Sequence, residues 1–381
     1  MSVGQDNNSD RKETSLNRRD FLRSAGVVSA SLASPQTAQW LAEGRTSGNW
    51  RTFDVKTRVE ILKFSGVTRV WLPAALISET PFQKTLSNDL SAPGGTARMV
   101  EGRDDAPGII VAEFPAGVKP VLTLTSRVAT QSYAVDLSVP GQAPKATRGE
   151  LEHYLRPTKL LPTDGIVKTT AAEITSGAKT DLEKARAIYE WVVDNTFRNP
   201  KTRGCGVGDI RFMLESRDLG GKCADLNALY VAWPVPRDSP RATCMVSAQP
   251  NRNWDTRASA PRRKTSRKHS TAAPKCTSVI TAGSPVDPAD VRKVVLEEPP
   301  GNRPLDDEMV KQARARLFGS WEMNWVAYNF AHDIALPGSA GAPVGFLMYP
   351  QAETSGVRLD CLAPDTFKYE ITSSETSSTS G

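Results

Sequence analysis

Fifty-three consecutive residues, Trp233 to Pro285, contain no Leu, Phe, Tyr or Glu, yet hold seven Pro and ten Lys or Arg. Such a segment is unsuited to the centre of a sheet, which needs β-branched and aromatic side chains on a buried face and excludes Pro from its ladder. The block therefore divides a 381-residue chain, long enough for two cores, into two stretches that must build any fold between them. It also explains the charge. The chain carries a formal +6, but the block alone contributes +8 and the remainder sums to −2. Basicity is thus local, and a nucleic-acid-binding protein, whose basic face belongs to its fold, is not expected. The run "PRRKTSRKH" has no interleaved aromatic residue.

Before the block, the chain changes period once. From Trp50 to Leu137, "RTFDVKTRVEILKF" alternates Phe53, Val55, Val59 and Ile61 with polar residues, and "TRVWLPAAL", "GIIVAEF" and "KPVLTLTSRVAT" follow between Gly/Pro/Asp turn clusters. Short strands with turn signals predict an antiparallel β-sandwich over 50–140. "SVPGQAPKATRGE", Ser138 to Glu150, reads as a linker. Helical spacing then takes over. In "KTDLEKARAIYEWVVDNTFRN", Thr180 followed three residues on by Glu183 predicts a capping box. Leu182, Ala185, Ile188, Tyr189, Val192 and Val193 fall on one face. A second domain is expected over 151–370, and "SSETSSTSG" at 371–381 has the composition of a disordered polar end.

The first residues carry their own signal. "SLNRRDFLRSAGVVSASLASPQTA" places Arg18-Arg19 before Phe21-Leu22, then a weakly apolar run from Ala25 to Ala33 and small residues near Ala33 and Ala38. This resembles a twin-arginine export signal over 1–38. The run is too short to span a bilayer, so a periplasmic protein with no integral membrane segment after signal removal is expected.

"LGGKCADLNALYVA" poses the chemical question. Gly220-Gly221 permits a tight approach, and Cys223 falls in the first turn of the next helix, where unpaired N–H groups and the helix dipole favour a thiolate. A thiolate attacks acyl carbon, and nearby N–H groups can hold the resulting oxyanion. On spacing alone the signal is weak, because a buried Cys on a helix is usually a core residue. "TDLEKARAIYEWVVDNTFRNP…GCGVGDIRFMLES…LGGKCADLNALYVA" together with "VDPADV" at 286–291 resembles the transglutaminase-like core of the papain-like cysteine protease superfamily. The resemblance implies an α+β fold, a papain-like transglutaminase core preceded by an antiparallel β-sandwich. It implies a Cys–His–Asp triad that cleaves or transfers an amide acyl group, with Cys223 as nucleophile and Asp287 as the carboxylate. The histidine should lie on a strand between them, where the block stands.

A shift of reading frame accounts for the block. Trp and Met each have one codon. Taking the last base of one codon with the first two of the next turns Trp233-Pro234 into alanine and Met245-Val246 into glycine. Residues 232–246 then permit "LARAAGFPARDVYG", which continues the helix and enters a strand. The same shift of "RKHSTAAPKCT" permits "KAQHCRAEVY", with the recovered histidine codon straddling Ser270 and Thr271. Residues 233–285 are accordingly expected to be out of frame and disordered, leaving the catalytic histidine unassigned and His269 a weak candidate. His332-Asp333 reads as a structural or substrate-side pair, and Asp225 as a first-turn helix carboxylate. An oxidising compartment would also permit a Cys205–Cys361 disulfide.

The leading expectation is a transglutaminase-like cysteine enzyme by descent, working on a peptide or protein substrate by acyl transfer or hydrolysis and impaired in this copy. The alternative is an enzyme-dead module of the same fold that binds peptide or cell-wall fragments. No metal site is expected, since no Cys stands in a C-x-x-C pair and the three histidines are scattered. No calcium loop or other cofactor motif is visible. Protease, transglutaminase and deamidase chemistry all remain open.

Overall fold

The structure is a computed structural model that describes residues 45–101, 108–137, 152, 154–232, 241–248, 278–281 and 284–376. The export signal, the linker Ser138–Glu150, His153 and His269 lie outside the described residues. The first part of the chain forms β1 (Arg45–Ile61), β2 (Thr68–Pro73), β3 (Gln83–Ser91), β4 (Thr96–Val100), β5 (Ile109–Phe114) and β6 (Val121–Ala134). The middle forms α1 (Gly165–Thr175), α2 (Asp181–Asn195), β7 (Phe197–Arg198), α3 (Ile210–Ser216), β8 (Gly220–Gly221) and α4 (Cys223–Ala232). Then come β9 (Arg241–Ala248), β10 (Ser278–Thr281), β11 (Ser284–Val286), α5 (Pro288–Glu297), α6 (Glu308–Arg316), β12 (Ser320–Trp321) and β13 (Trp325–Asn329). The chain finishes with β14 (Gln351–Thr354), β15 (Val357–Arg358) and β16 (Phe367–Thr376).

The alternation in β1 does what its pattern dictates: Phe53, Val55, Val59 and Ile61 are all buried while Lys56 is exposed. The strand lies between β6 and β16, and β12 and β3 both pair with β6. A second five-stranded sheet runs β15-β14-β2-β5-β4. Side chains of both sheets, including Val59, Ile61, Val70, Leu72, Ile110 and Leu122, enter one apolar core with those of the helical region. All the strand pairings here are antiparallel.

The expected division at 140 is corrected by these pairings. β16 pairs with β1 over Phe367–Thr376, β14 with β2, and β12 with β6. The C-terminal strands therefore complete sheets that the N-terminal stretch begins. The expected disordered end is corrected for the same reason. Residues 371–376 belong to β16, and Ser373 and Ser374 sit opposite Val55 and Asp54; only 377–381 lie outside the described residues.

The helical layer follows its caps. Thr180 accepts from the Glu183 N–H while Glu183 accepts from the Thr180 N–H, closing the capping box at the start of α2. Ala185, Ile188, Tyr189, Val192 and Val193 are the buried face of that helix. In α4 every residue except Val231 is buried, so it is a central helix covered on all sides. A third sheet, β11-β10-β9-β13, uses the backbone of 241–248 and 278–281. The expectation of a block without strands is thereby corrected at its two ends, while 249–277 lie outside the described residues. The architecture is α+β.

Candidate functional site

Two short strands hold the approach to α4. β7 and β8 pair in parallel, with Arg198 opposite Gly221. The Asn199 N–H donates to the Gly221 carbonyl at 2.8 Å, and the Phe197 N–H to that of Leu219 at 3.3 Å. Gly221 is required by packing, because a Cβ there would press into the Asp225 side chain. Asp225 is more than a first-turn carboxylate. Its Oδ1 accepts from the Val207 and Gly208 N–H groups, each at 2.8 Å, and its Oδ2 from the Lys222 N–H at 3.0 Å. Burial pushes its carboxyl up, against the pull of these three donors. The 206–208 turn is thereby fastened to the helix start. Gly206, at φ 94°, is the position where any side chain would overlap the carboxylate. From the same loop, the Cys205 carbonyl accepts from the Ala224 N–H at 3.0 Å.

Cys223 is the first residue of α4 and is 4% exposed. Arg198 Nη1 donates to its Sγ at 3.5 Å, and Arg198 Nε donates to Glu297 Oε1 at 2.7 Å. Burial by itself would lower the guanidinium, but the charges of Cys223 and Glu297 and the hydrogen bonds to both raise it instead. The neighbouring Lys222 ammonium is held below its ordinary range, first by burial and then by Arg198. Cys223 forms no disulfide.

One turn along, Asn227 lies on the same face as Cys223, four residues apart. Its Nδ2 donates to Asp287 Oδ1 at 3.2 Å, and its Oδ1 accepts from the Ala289 N–H at 3.2 Å. Asp287 Oδ1 also accepts from the Asp290 N–H at 2.9 Å, which makes Asp287 the N-cap of α5 ahead of Pro288. The structure thus brings Cys223 and Asp287 onto the two ends of one short connection through Asn227. β11, which delivers Asp287, pairs with β10.

No described histidine joins them. His269 lies outside the described residues. His332 is fixed elsewhere: its ring donates to the Gly345 carbonyl, its Nε2 is buried without a partner, and burial lowers it to about 4. The groups acting on it are Asp333, Arg156 and Gly345, not Cys223 or Asp287. The Cys205–Cys361 pairing is corrected, because Cys361 is a free thiol and Cys205 belongs to another disulfide. Among the described residues no group of three or more His, Cys, Asp or Glu is placed to hold a metal, and no helix is long and apolar enough to cross a membrane. An open groove of about 410 Å³, lined by Lys159, Asp209, Arg211 and Phe212 among others, includes none of the Cys223 contacts.

Arg198, Asn227 and Glu297 were not singled out from the sequence. A signal existed for Asn227, an amide four residues after Cys223 in a helix that is apolar apart from Asp225. None existed for Arg198 and Glu297, which meet across 99 residues.

A curated relative, an uncharacterized protein of Haemophilus influenzae, is 31% identical over 233 residues, covering 59% of this chain and 62% of its own length. The chain therefore spans less than two thirds of that relative. The crystal structure of a proposed cysteine protease from Cytophaga hutchinsonii superposes with a TM-score of 0.52 at 14% identity, over 87% of this chain and 93% of that one; at that identity the likeness shows the fold. Residues 168–233 match the model of the transglutaminase-like superfamily, so the stretch from α1 through the Cys223 helix is a transglutaminase-like core.

Proposed function

We propose that this chain is a transglutaminase-like cysteine enzyme by descent, acting on peptide or amide bonds by acyl transfer or hydrolysis. Cys223 is the nucleophile and Asp287 the carboxylate that orients the base. The observation that carries this reading is the chain of contacts Cys223–helix turn–Asn227–Asp287, set behind a Gly220-Gly221 approach. The base is the histidine of the displaced frame. Its codon precedes β10, the strand beside the one that leads into Asp287. Without that imidazole the copy is impaired, since a positioned general base is worth about 10²–10⁴ in rate. The twin arginine directs the protein to the periplasm.

The test compares the chain as it stands with one in which 233–285 is replaced by the displaced-frame translation, on labelled peptides with and without an added amine. Cys223-dependent product should rise by about 10²-fold or more in the restored chain and vanish in its Cys223→Ala variant. Activity that survives Cys223→Ala sinks the reading, as does a folded restored chain with no turnover.

A second reading is favoured by the cap: Asp287 is already committed to Asn227 and the start of α5, as in a purely structural role. A binding module of this fold would hold peptide or cell-wall fragments equally well after Cys223→Ala and form no thioester. Replacing Arg18 and Arg19 by Lys and following the protein by cell fractionation tests export; undiminished periplasmic protein overturns it.

A further inference from the structure

The Cys223 site contains a guanidinium for which a cysteine, a base and an orienting carboxylate leave no role. Arg198 donates through Nη1 to Cys223 Sγ and through Nε to Glu297. Its side chain is 11% exposed and that of Glu297 19%, so the pair is largely shielded from water. The backbone fixes it as well, because Arg198 stands opposite Gly221, two residues before the nucleophile. From this geometry we infer that Arg198 is the side-chain oxyanion donor of Cys223, and that Glu297 is the positioning residue that aims it. The inference rests on the reading of Cys223 as a nucleophile and adds the group that stabilises its intermediate.

The step balances as follows. The Cys223 thiol gives its proton to a base or to solvent, and the sulfur adds to the carbonyl carbon of the substrate. As the S–C bond forms, the π pair of the carbonyl moves onto oxygen. That oxygen is attached to the carbon bonded to Sγ, so it develops beside the sulfur, within reach of a donor already 3.5 Å from Sγ. Oxyanion donors act at about 2.7–3.1 Å from the charged oxygen. Before reaction Nη1 donates to Sγ itself, and the Glu297 carboxylate bonded to Nε keeps the planar fork from turning away. When the carbonyl re-forms, the bond to the leaving group breaks. An amine leaves after taking up a proton, and an activated phenol leaves as phenolate. A shielded, preset donor is worth more than the same donor in water.

Two reagents separate this role from simple support of the sulfur or of the fold. Iodoacetamide alkylates sulfur by displacement and passes through no oxyanion, whereas p-nitrophenyl acetate acylates it through one. Both rates are measured at Cys223 by peptide mass spectrometry on the full chain, for the unaltered protein and for Arg198→Gln, Arg198→Lys and Glu297→Gln. The expected result is an acylation rate lowered about 10²-fold in Arg198→Gln, at the low end for loss of an oxyanion donor. Alkylation in the same protein should change less than about threefold, and serves as the control for folding. Arg198→Lys, a point charge without the fork, should recover part of the acylation rate, and Glu297→Gln should lose part of it. Parallel loss of both reactions would assign Arg198 to the thiol or the fold and overturn the inference, as would acylation unchanged in Arg198→Gln. Failure of Cys223 to react with either reagent in the unaltered chain overturns the proposed nucleophile itself.

Discussion

The sheet around β1 and the sheet that carries Asp287 are built on opposite terms. β1 is a 17-residue strand flanked by β6 and β16, and its buried side chains alternate from Phe53 to Ile61. β10 meets β9 over four residues and β11 over three. The first sheet is fixed by a local pattern repeated on every neighbour. The second depends on strands from a block whose composition opposes strand formation, and meets α4 through β9 and β10. Cys223 at the start of α4 and Asp287, which follows β11, keep their spacing only if that less redundant half holds.

Substitutions can break this contrast. The largest effect is expected from Ile61→Ala, which removes a fully buried side chain from β1; urea unfolding should show a loss of about 2–5 kcal/mol in one cooperative transition. A loss confined to the first sheet, with the helical region unfolding separately and unchanged, would show that the shared core does not couple the two halves.

Acid probes the other side. His332 follows β13, the edge of the second sheet, and burial lowers it from an ordinary 6.5 to about 4 in the folded protein. Between those values the unfolded chain binds the proton and the folded chain does not, so stability is complete above about 6.5 and falls as pH drops towards 4. The loss should be on the order of 3 kcal/mol, measured as the pH dependence of the urea midpoint. His332→Gln should flatten this window; an unchanged slope in that variant counts against the assignment.

The smallest expected effect is at the cap of α2. Thr180→Ala removes the acceptor for the Glu183 N–H and should cost about 1 kcal/mol, read from the thermal midpoint. A change within error would mean that packing alone holds the helix start.

What could be read from the chain beforehand divides along the same line. The capping box needs only Thr180 and Glu183, so a local rule finds it. The alternation through Phe53, Val55, Val59 and Ile61 names the buried face of β1 but not its partners. For that reason β16 escaped notice, although Phe367, Tyr369 and Ile371 alternate too. Its serine-rich end has the composition of a tail and is a strand only because β1 offers it a ladder. At the site, Cys223 was marked by the glycines before it and its place in the first helical turn, and Asp287 only by the resemblance of "VDPADV" to a family motif. Arg198 and Glu297 were not, because an ion pair between distant positions leaves no trace in either neighbourhood.

The pairing of β1 with β16 also sets an order of events in time. Thr52 lies opposite Thr376 and Ile61 opposite Phe367, so the first described strand is completed by the last. Contacts between the two ends of a chain carry a large loop-closure cost and slow folding. Synthesis must reach those final residues before this sheet can close, and until then β1 keeps one bare edge. A chain stopped anywhere before β16 would therefore keep that edge open to another strand, with the aggregation hazard this brings.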